Sequence, residues 1–274
     1  MVTKTDYHQI AVTAAYSVLI EITRILGQYM DNIVLIGGWV PQFLFQNKNE
    51  LHSGSIDVDL ALDHKRITDE AYKGIKDLLL ERNYQQGKQP FIFHRLVNIE
   101  GTSVKVQIDL LSGEYEGTGK SHRHQRVQKL HARKVRGCDL AFQNPIEVTI
   151  EGHLPDGAKD SATIRVASIV PFLIMKAIVL DNRMKEKDAY DIYYCLKQYS
   201  DRLDELVTEF RPHLKNGLIQ EGLSKLAKSF SSEKHIGPKF VSAFEEITDE
   251  EDRKQIERDA FERVNYILQG LAVI

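Results

Sequence analysis

The chain has 274 residues, 42% of them hydrophobic and 27% charged, with 17 glycines and 7 prolines, which excludes disordered and collagen-like chains and leaves room for one large or two moderate domains. Its two cysteines exclude a disulfide framework and a cysteine-rich zinc site, and a formal charge of -3 is too small to select a class of partner.

At the start, Ile10, Ala14, Val18, Ile22 and Ile25 recur at helical spacing and predict an opening helix from about His8 to Met30. Glu21 and Arg24 interrupt its apolar residues, which suits an amphipathic helix better than a signal peptide. Together with the lack of any long uninterrupted apolar stretch, this predicts a cytoplasmic protein with no membrane partner. "NIVLI" reads as a short buried strand stopped by Gly37-Gly38. The helical stretch "WVPQFLFQ" follows, with Pro41 early enough for its missing N–H to be harmless. "SIDVDLAL" alternates, so Ile56, Val58 and Leu60 face one way and Asp57 and Asp59 the other. A helix is predicted from about Thr68 to Arg82, followed by a hairpin in which "FIFHRLVNIE" and "SVKVQIDLLS" flank "GTS". Its second arm puts Lys105, Gln107 and Asp109 on one face and Val104, Val106 and Ile108 on the other.

The segment "KSHRHQRVQKLHARKVR" holds Lys120, Arg123, Arg126, Lys129, Arg133, Lys134 and Arg136 and no acid. Such a run is either a solvated surface or a contact for phosphates, with Arg126, Lys129 and Arg133 the candidate RNA-binding residues. His122, His124 and His131 lack a persuasive ligand set and read as surface residues. "PIEVTIEG" and "SATIRVAS" predict two further strands around "HLPDGAK". From Ile169 the pattern turns helical: "IVPFLIMKAIVLDNR", "EKDAYDIYYCLKQY", and stretches near Leu203 to Phe210, Leu218 to Phe230, Pro238 to Glu246 and Glu250 to Leu268. The reading is α+β, with a mixed-sheet domain over 1–167 and a helical domain over 168–274 contributing to the active cleft.

If the strand of Asp109 lies beside that of Asp57 and Asp59, three carboxylates converge, and their mutual repulsion calls for a cation. Oxygen-only donors suit Mg²⁺ or Mn²⁺, which supports attack of a hydroxyl on a phosphate. The alternative is an exposed strand face with unrelated acids. Gly37-Gly38 is neither a Walker A loop nor a dinucleotide fingerprint, yet small residues there let backbone N–H groups approach a triphosphate.

The order strand, Gly-Gly turn, helix, Asp-x-Asp strand and later acidic strand resembles the DNA polymerase beta-like nucleotidyltransferase superfamily. The matching pieces are "LIGGW", Asp57 and Asp59 in "SIDVDLAL", and Asp109 in "VQIDLL". That resemblance implies a polymerase-beta-like mixed sheet, nucleotide-phosphate contact at Gly37 and Gly38, divalent ions held by Asp57, Asp59 and Asp109, and catalytic roles for all three acids. The later stretch "IMKAIVLDNRMKEKDAYDIYYCL" resembles the AbiEii/AbiGii-type nucleotidyltransferase toxins. Lys176 matches their earlier lysine, and Lys187, Asp188 and Asp191 match the later Lys-Asp-x-x-Asp cluster. By resemblance Lys176 and Asp188 are catalytic, and Lys176, Lys187 and Asp191 bind the nucleotide. Where many members carry Arg-x-Thr before Asp-x-Asp, this chain has Ser53 and Ser55; Ser55 retains a hydroxyl for nucleotide binding, whereas Ser53 supplies no guanidinium.

The resemblance implies transfer of a nucleoside monophosphate from an NTP to an RNA hydroxyl, such as a tRNA end, by a bacterial toxin with a cognate antitoxin. The basic segment is consistent with an RNA acceptor. Two other readings stay open: transfer to a small molecule or protein hydroxyl, and an inactive nucleotide- or RNA-binding module.

Overall fold

In the computed structural model, residues 2–46, 50–63, 65–67, 69–113, 124–127, 130–199 and 202–273 are described. The chain divides into two units, one formed by Tyr7–Phe43 and Gly54–Ser168, the other by Met1–Asp6, Leu44–Ser53 and Ile169–Ile274.

In the first unit, α1 (Gln9–Ile25) buries Ala14, Ala15, Val18, Leu19 and Ile22. The helical pattern extends beyond Ile25, but a 3₁₀ turn over Gly27–Asn32 replaces its last residues. β1 (Ile33–Ile36), paired on both edges, is buried at every position and so on both of its faces, which is why its sequence does not alternate. A short turn over Gly37–Trp39 leads into α2 (Val40–Leu44), with Pro41 in the first helical turn. Then come β2 (Asp57–Leu62), α3 (Asp69–Glu81) and the two-residue β3 (Gln85–Gln86). β4 (Ile92–Ile99) and β5 (Thr102–Ser112) form the expected hairpin, closed by Glu100 and Gly101 with φ of 50° and 83°, the left-handed pair that a two-residue turn requires. β6 (His124–Val127) and β7 (Leu130–Lys134) are followed by β8 (Ile146–His153) and β9 (Lys159–Val166).

The sheet runs β3-β4-β5-β2-β1-β9-β8, with β7 pairing to both β5 and β6. It is mixed: β2 is parallel to β5, β1 to β9 and β7 to β5, whereas β1/β2, β4/β5 and β8/β9 are antiparallel. The basic segment thus includes a β-hairpin whose second strand pairs with the end of β5 at Leu111 and Ser112. Charge composition gave no hint of this pairing, because the strand is set by backbone hydrogen bonding to a distant segment.

The second unit is helical: α4 (Ile169–Arg183), α5 (Glu186–Tyr199), α6 (Leu203–Phe210), α7 (Gly217–Ser229), α8 (Ile236–Phe244) and α9 (Glu250–Gly270). α4 is buried from Ile169 through Ile178, as its nearly continuous apolar sequence requires. Gly222 of α7 lies against Ile174 of α4, where a Cβ would meet the Ile174 Cγ2 at 2.6 Å, so the two helices pack closely at a residue without a side chain. Asn216 caps α7 by accepting the Leu218 N–H, and Asp249 caps α9 by accepting those of Glu251 and Asp252. The architecture is α+β, a mixed sheet followed by a helical region, and matches the layout of a polymerase-beta-like nucleotidyltransferase. Among the described residues, no helix is long and apolar enough to cross a membrane.

Candidate functional site

Strand register brings the three acids together on one face of the sheet. β2 and β5 run parallel with Asp57 opposite Gln107 and Asp59 opposite Asp109. Laterally paired residues project to the same face, and residues two apart on one strand do as well. Asp57, Asp59, Gln107 and Asp109 therefore share a face, while Val58, Val106 and Ile108 are buried on the other.

The diglycine turn closes on these acids from the β1 side. Ile36 pairs with Asp59, so the chain leaves β1 beside that aspartate. Gly37 adopts φ +76°, and a Cβ there would run into the Asp59 carboxylate. A Cβ on Gly38 would meet the Ser55 Oγ at 2.7 Å. Glycine is needed at both places for close approach, and at Gly37 for its backbone conformation as well. Ser55, buried, donates to Asp57 Oδ1 at 2.5 Å, so its hydroxyl orients the first acid. Trp39 donates from Nε1 to the Asp57 carbonyl at 2.8 Å and packs with Phe43 and Tyr16; it anchors the turn from within the core.

Asp109 is the most enclosed of the three acids. Burial pushes its carboxyl above the ordinary range; Gln107, donating to Oδ2 at 2.7 Å, opposes the shift, nearby Asp57 adds to it, and Arg133 counters it. Its Oδ1 is buried and has no hydrogen-bond partner among the described residues. An orphaned carboxylate oxygen beside two further acids fits a hard divalent cation, which takes oxygen donors. In the present side-chain arrangement, no three His, Cys, Asp or Glu side chains among the described residues surround a common cation position. Asp57 and Asp109 are instead each engaged by a neutral neighbour, Ser55 and Gln107. The oxygen-only donors of Asp57, Asp59 and Asp109 are of the kind such an ion takes.

Lys176, Lys187, Asp188 and Asp191 lie together within the helical unit. Lys176 Nζ is 2.9 Å from Asp188 Oδ1 and 2.6 Å from Asp191 Oδ2. Lys187 Nζ donates to Asp191 Oδ1 at 2.5 Å, and Arg183 makes two hydrogen bonds to Asp188. Burial disfavours both carboxylates, but the surrounding cations outweigh it and hold Asp188 and Asp191 below the usual range. Burial likewise opposes the Lys176 charge and is outweighed by Asp188 and Asp191, so that its pKa rises; for Lys187 burial wins and its pKa falls.

A residue with no family motif completes this network. His52 is fully buried, its Nε2 is 2.9 Å from Asp191 Oδ1, and its ring stacks on Tyr190 and meets Tyr194 edge-on. Burial and the neighbouring Lys187 push it down to about 4, so it is neutral at pH 7 and donates its Nε2–H to Asp191. The network is thus a structural element of the helical unit in its own right.

Of the basic run, Lys120, Arg123 and Lys129 lie outside the described residues, and Arg126 stands on β6 opposite His131. Arg133 is register partner to Leu111, two residues beyond Asp109, and shares the face of the acids. Sequence reading passed over Gln107 and His94 as site residues, although the parity that selects Asp109 also selects Gln107. His94 is opposite Gln107 on β4 and hydrogen-bonds to its side chain.

No family model matches the chain, and no curated protein does. Among solved structures, it is similar to the STING-associated CdnE c-di-GMP synthase from Capnocytophaga granulosa, with a TM-score of 0.28 and 11% identity over 96% of this chain and 82% of that one. At this level of similarity, any assignment of activity rests on the site's own residues, and the narrower AbiEii/AbiGii resemblance stands on its motif residues alone.

Proposed function

We propose that the protein is a metal-dependent nucleotidyltransferase that moves a nucleoside monophosphate from an NTP to a hydroxyl and releases pyrophosphate. The observation that carries this reading is the shared face and lateral register of Asp57, Asp59 and Asp109, with the Gly37-Gly38 backbone against Asp59. Asp57, Asp59 and Asp109 would hold Mg²⁺ or Mn²⁺, which supplies charge neutralisation at the attacked phosphate and a lower pKa for the hydroxyl. Gly37 and Gly38 offer N–H groups to the triphosphate without side-chain obstruction. Ser55 fixes the Asp57 rotamer, and Asp109 receives the proton of the incoming hydroxyl. Positioning and electrostatics of this kind carry most of phosphoryl-transfer catalysis. The family resemblance assigns nucleotide engagement to Lys176, Lys187 and Asp191 and catalytic roles to Lys176 and Asp188.

Two acceptor classes follow. A small molecule or protein hydroxyl needs nothing beyond the site described. An RNA hydroxyl, such as a tRNA end modified by a bacterial toxin with its antitoxin, is favoured by Arg133 on the face of the acids. Incubating the purified protein and its Asp57→Asn variant with Mg²⁺, each labelled NTP and total RNA tests the reading. Transfer by the parent and none by the variant is expected; label on RNA, protein or a small acceptor identifies the class, and no NTP turnover with any of them overturns it.

A further inference from the structure

An open groove of about 470 Å³ lies beside the acids in the sheet unit, within the range of small-molecule sites, about 300–1,000 Å³. Gln85, His94 and Gln107 form one lateral row across β3, β4 and β5, and the next residue in that row is Asp57. The cavity therefore opens on the face that carries the acids. Gln107 is at once part of its wall and the donor to Asp109.

Beside the apolar Ile92 and the imidazole of His94, its polar lining is amide and cationic. Gln85, Gln86, Gln89 and Gln107 offer amide donors and acceptors, Lys88 and Lys105 offer positive charge, and no acid contributes. Among the described residues, neither lysine has a carboxylate partner. Such a lining suits an anion that also forms several hydrogen bonds, and ammonium groups among amides are a phosphate-binding set. A Cβ on Gly87 would meet the His94 Cε1 at 3.1 Å, so the absence of a side chain there keeps the cavity open.

Sheet order then gives the cavity's place relative to the acids and the glycine turn. Reading across β4, β5, β2 and β1, one meets the cavity, Asp109, the Asp57/Asp59 pair and finally the glycine turn. In an in-line displacement, the attacking hydroxyl and the departing pyrophosphate lie on opposite sides of the transferred phosphorus. With the triphosphate at the glycine turn, the hydroxyl must arrive from the β4 side.

We propose that this cavity is the acceptor subsite and that it takes a phosphorylated nucleoside, its phosphate held by Lys88 and Lys105 and its hydroxyl directed at Asp109. The inference rests on the nucleotidyl-transfer reading above. The acceptor oxygen forms a bond to the α-phosphorus of the NTP, the bond from that phosphorus to the bridging oxygen of the β-phosphate breaks, pyrophosphate leaves with the electron pair, and the hydroxyl proton passes to Asp109. A free mononucleotide and the terminal nucleotide of an RNA offer the same chemistry.

The test is equilibrium binding to the full chain, without NTP or metal, of adenosine, AMP and the 5′-phosphorylated trinucleotide pApApA. At least one phosphorylated probe should bind about tenfold or more tightly than adenosine, and Lys88→Glu/Lys105→Glu should weaken that probe by roughly tenfold per lysine, the scale of a charge-assisted contact to phosphate. AMP binding as well as pApApA identifies a free mononucleotide as sufficient, and binding of pApApA alone identifies a polynucleotide end; either outcome supports the subsite. Lys88→Gln/Lys105→Gln repeats the measurement with smaller perturbation if the charge reversal shifts the unfolding midpoint. Equal affinity for adenosine and both phosphorylated probes, no binding of either phosphorylated probe, or unchanged affinity in a well-folded lysine variant would overturn the proposal. Lysine-dependent binding without nucleotidyl transfer under any condition would retire the transferase reading while the phosphate site stood, whereas transfer with an unaltered acceptor KM in the lysine variant would retire the subsite alone.

Discussion

Asp59 of β2 and Asp109 of β5 are direct register partners in a parallel strand pair, although fifty residues of chain, including a helix and a hairpin arm, separate them. Two carboxylates in such a pair repel unless a cation or a proton intervenes. Burial and the presence of Asp57 already raise the Asp109 carboxyl, and its Oδ1 has no hydrogen-bond partner among the described residues. This clustering of three carboxylates on one face is the physical core of the catalytic proposal.

Replacing either Asp57 or Asp109 with asparagine keeps shape and removes charge. Nucleotidyl transfer should fall about 10²- to 10³-fold in each variant, the scale of losing one preorganised electrostatic contact. The unfolding midpoint should be unchanged or raised, because like-charge repulsion is relieved. Transfer at the parental rate in both, with Mg²⁺ and NTP saturating, would remove these residues from the site.

Gly37→Ala should be damaging for two separable reasons. The left-handed backbone at φ +76° costs an alanine about 1–2 kcal/mol, and the added methyl displaces the Asp59 carboxylate. Gly101 has φ +83° with nothing within 4 Å of an added Cβ, so Gly101→Ala should show the backbone cost alone. Thermal melts and transfer rates of the two variants, side by side, check this: equal losses of transfer would mean that the approach to Asp59 is unimportant.

The buried His52 makes stability pH-dependent with a defined sign. Its pKa is about 4 in the folded protein and 6.5 ordinarily, so between those values the unfolded chain binds a proton that the folded chain does not. Stability from this group is full above pH 6.5 and is lost as pH falls towards 4, by about 3 kcal/mol in total. Urea unfolding at pH 4.5, 5.5 and 7 should show a steeper acid loss in the parent than in His52→Gln; parallel curves would contradict a buried neutral imidazole.

Removing one member of the helical network should be costly. Asp191→Asn leaves Lys176 and Lys187 buried with less compensating charge, and the penalty for breaking a buried ion pair is about 3–5 kcal/mol. Denaturant titration reads it directly. A loss below about 1 kcal/mol, the level of an exposed pair, would show that the network is solvated in solution.

If the acceptor is RNA, the triple neutralisation of Arg126, Lys129 and Arg133 should weaken RNA binding. Each lost phosphate contact should lower the salt slope of log affinity by about 0.7–0.9. A salt titration of parent and variant, with matched unfolding curves, decides it; identical slopes would leave the run as a solvated surface and favour a small acceptor.

Local pattern made most of the elements legible. Periodicity located β1, β2, the β4/β5 hairpin, β8, β9 and the six helices after Ile169, since side-chain alternation and helical spacing are written into consecutive residues. Strand parity also put Asp57 and Asp59 on one face and Gln107 and Asp109 on one face of another strand. Parity says nothing about which strands are neighbours, so the lateral pairing of Asp59 with Asp109 was decided by sheet topology. For the same reason β7, which pairs with β5 by backbone bonds, was hidden inside a run read for its charge. The minimal strand β3 carries too few residues to show any period. His52 and Lys187 show the limit from the other side: no local period marks either residue as buried. Their burial, and hence their altered protonation, comes from residues distant in the chain that exclude water around them. The sequence by itself determined the local conformations and the kinds of donor available, while only the tertiary structure decided which donors meet, because contact between segments remote in sequence depends on packing that no local period encodes.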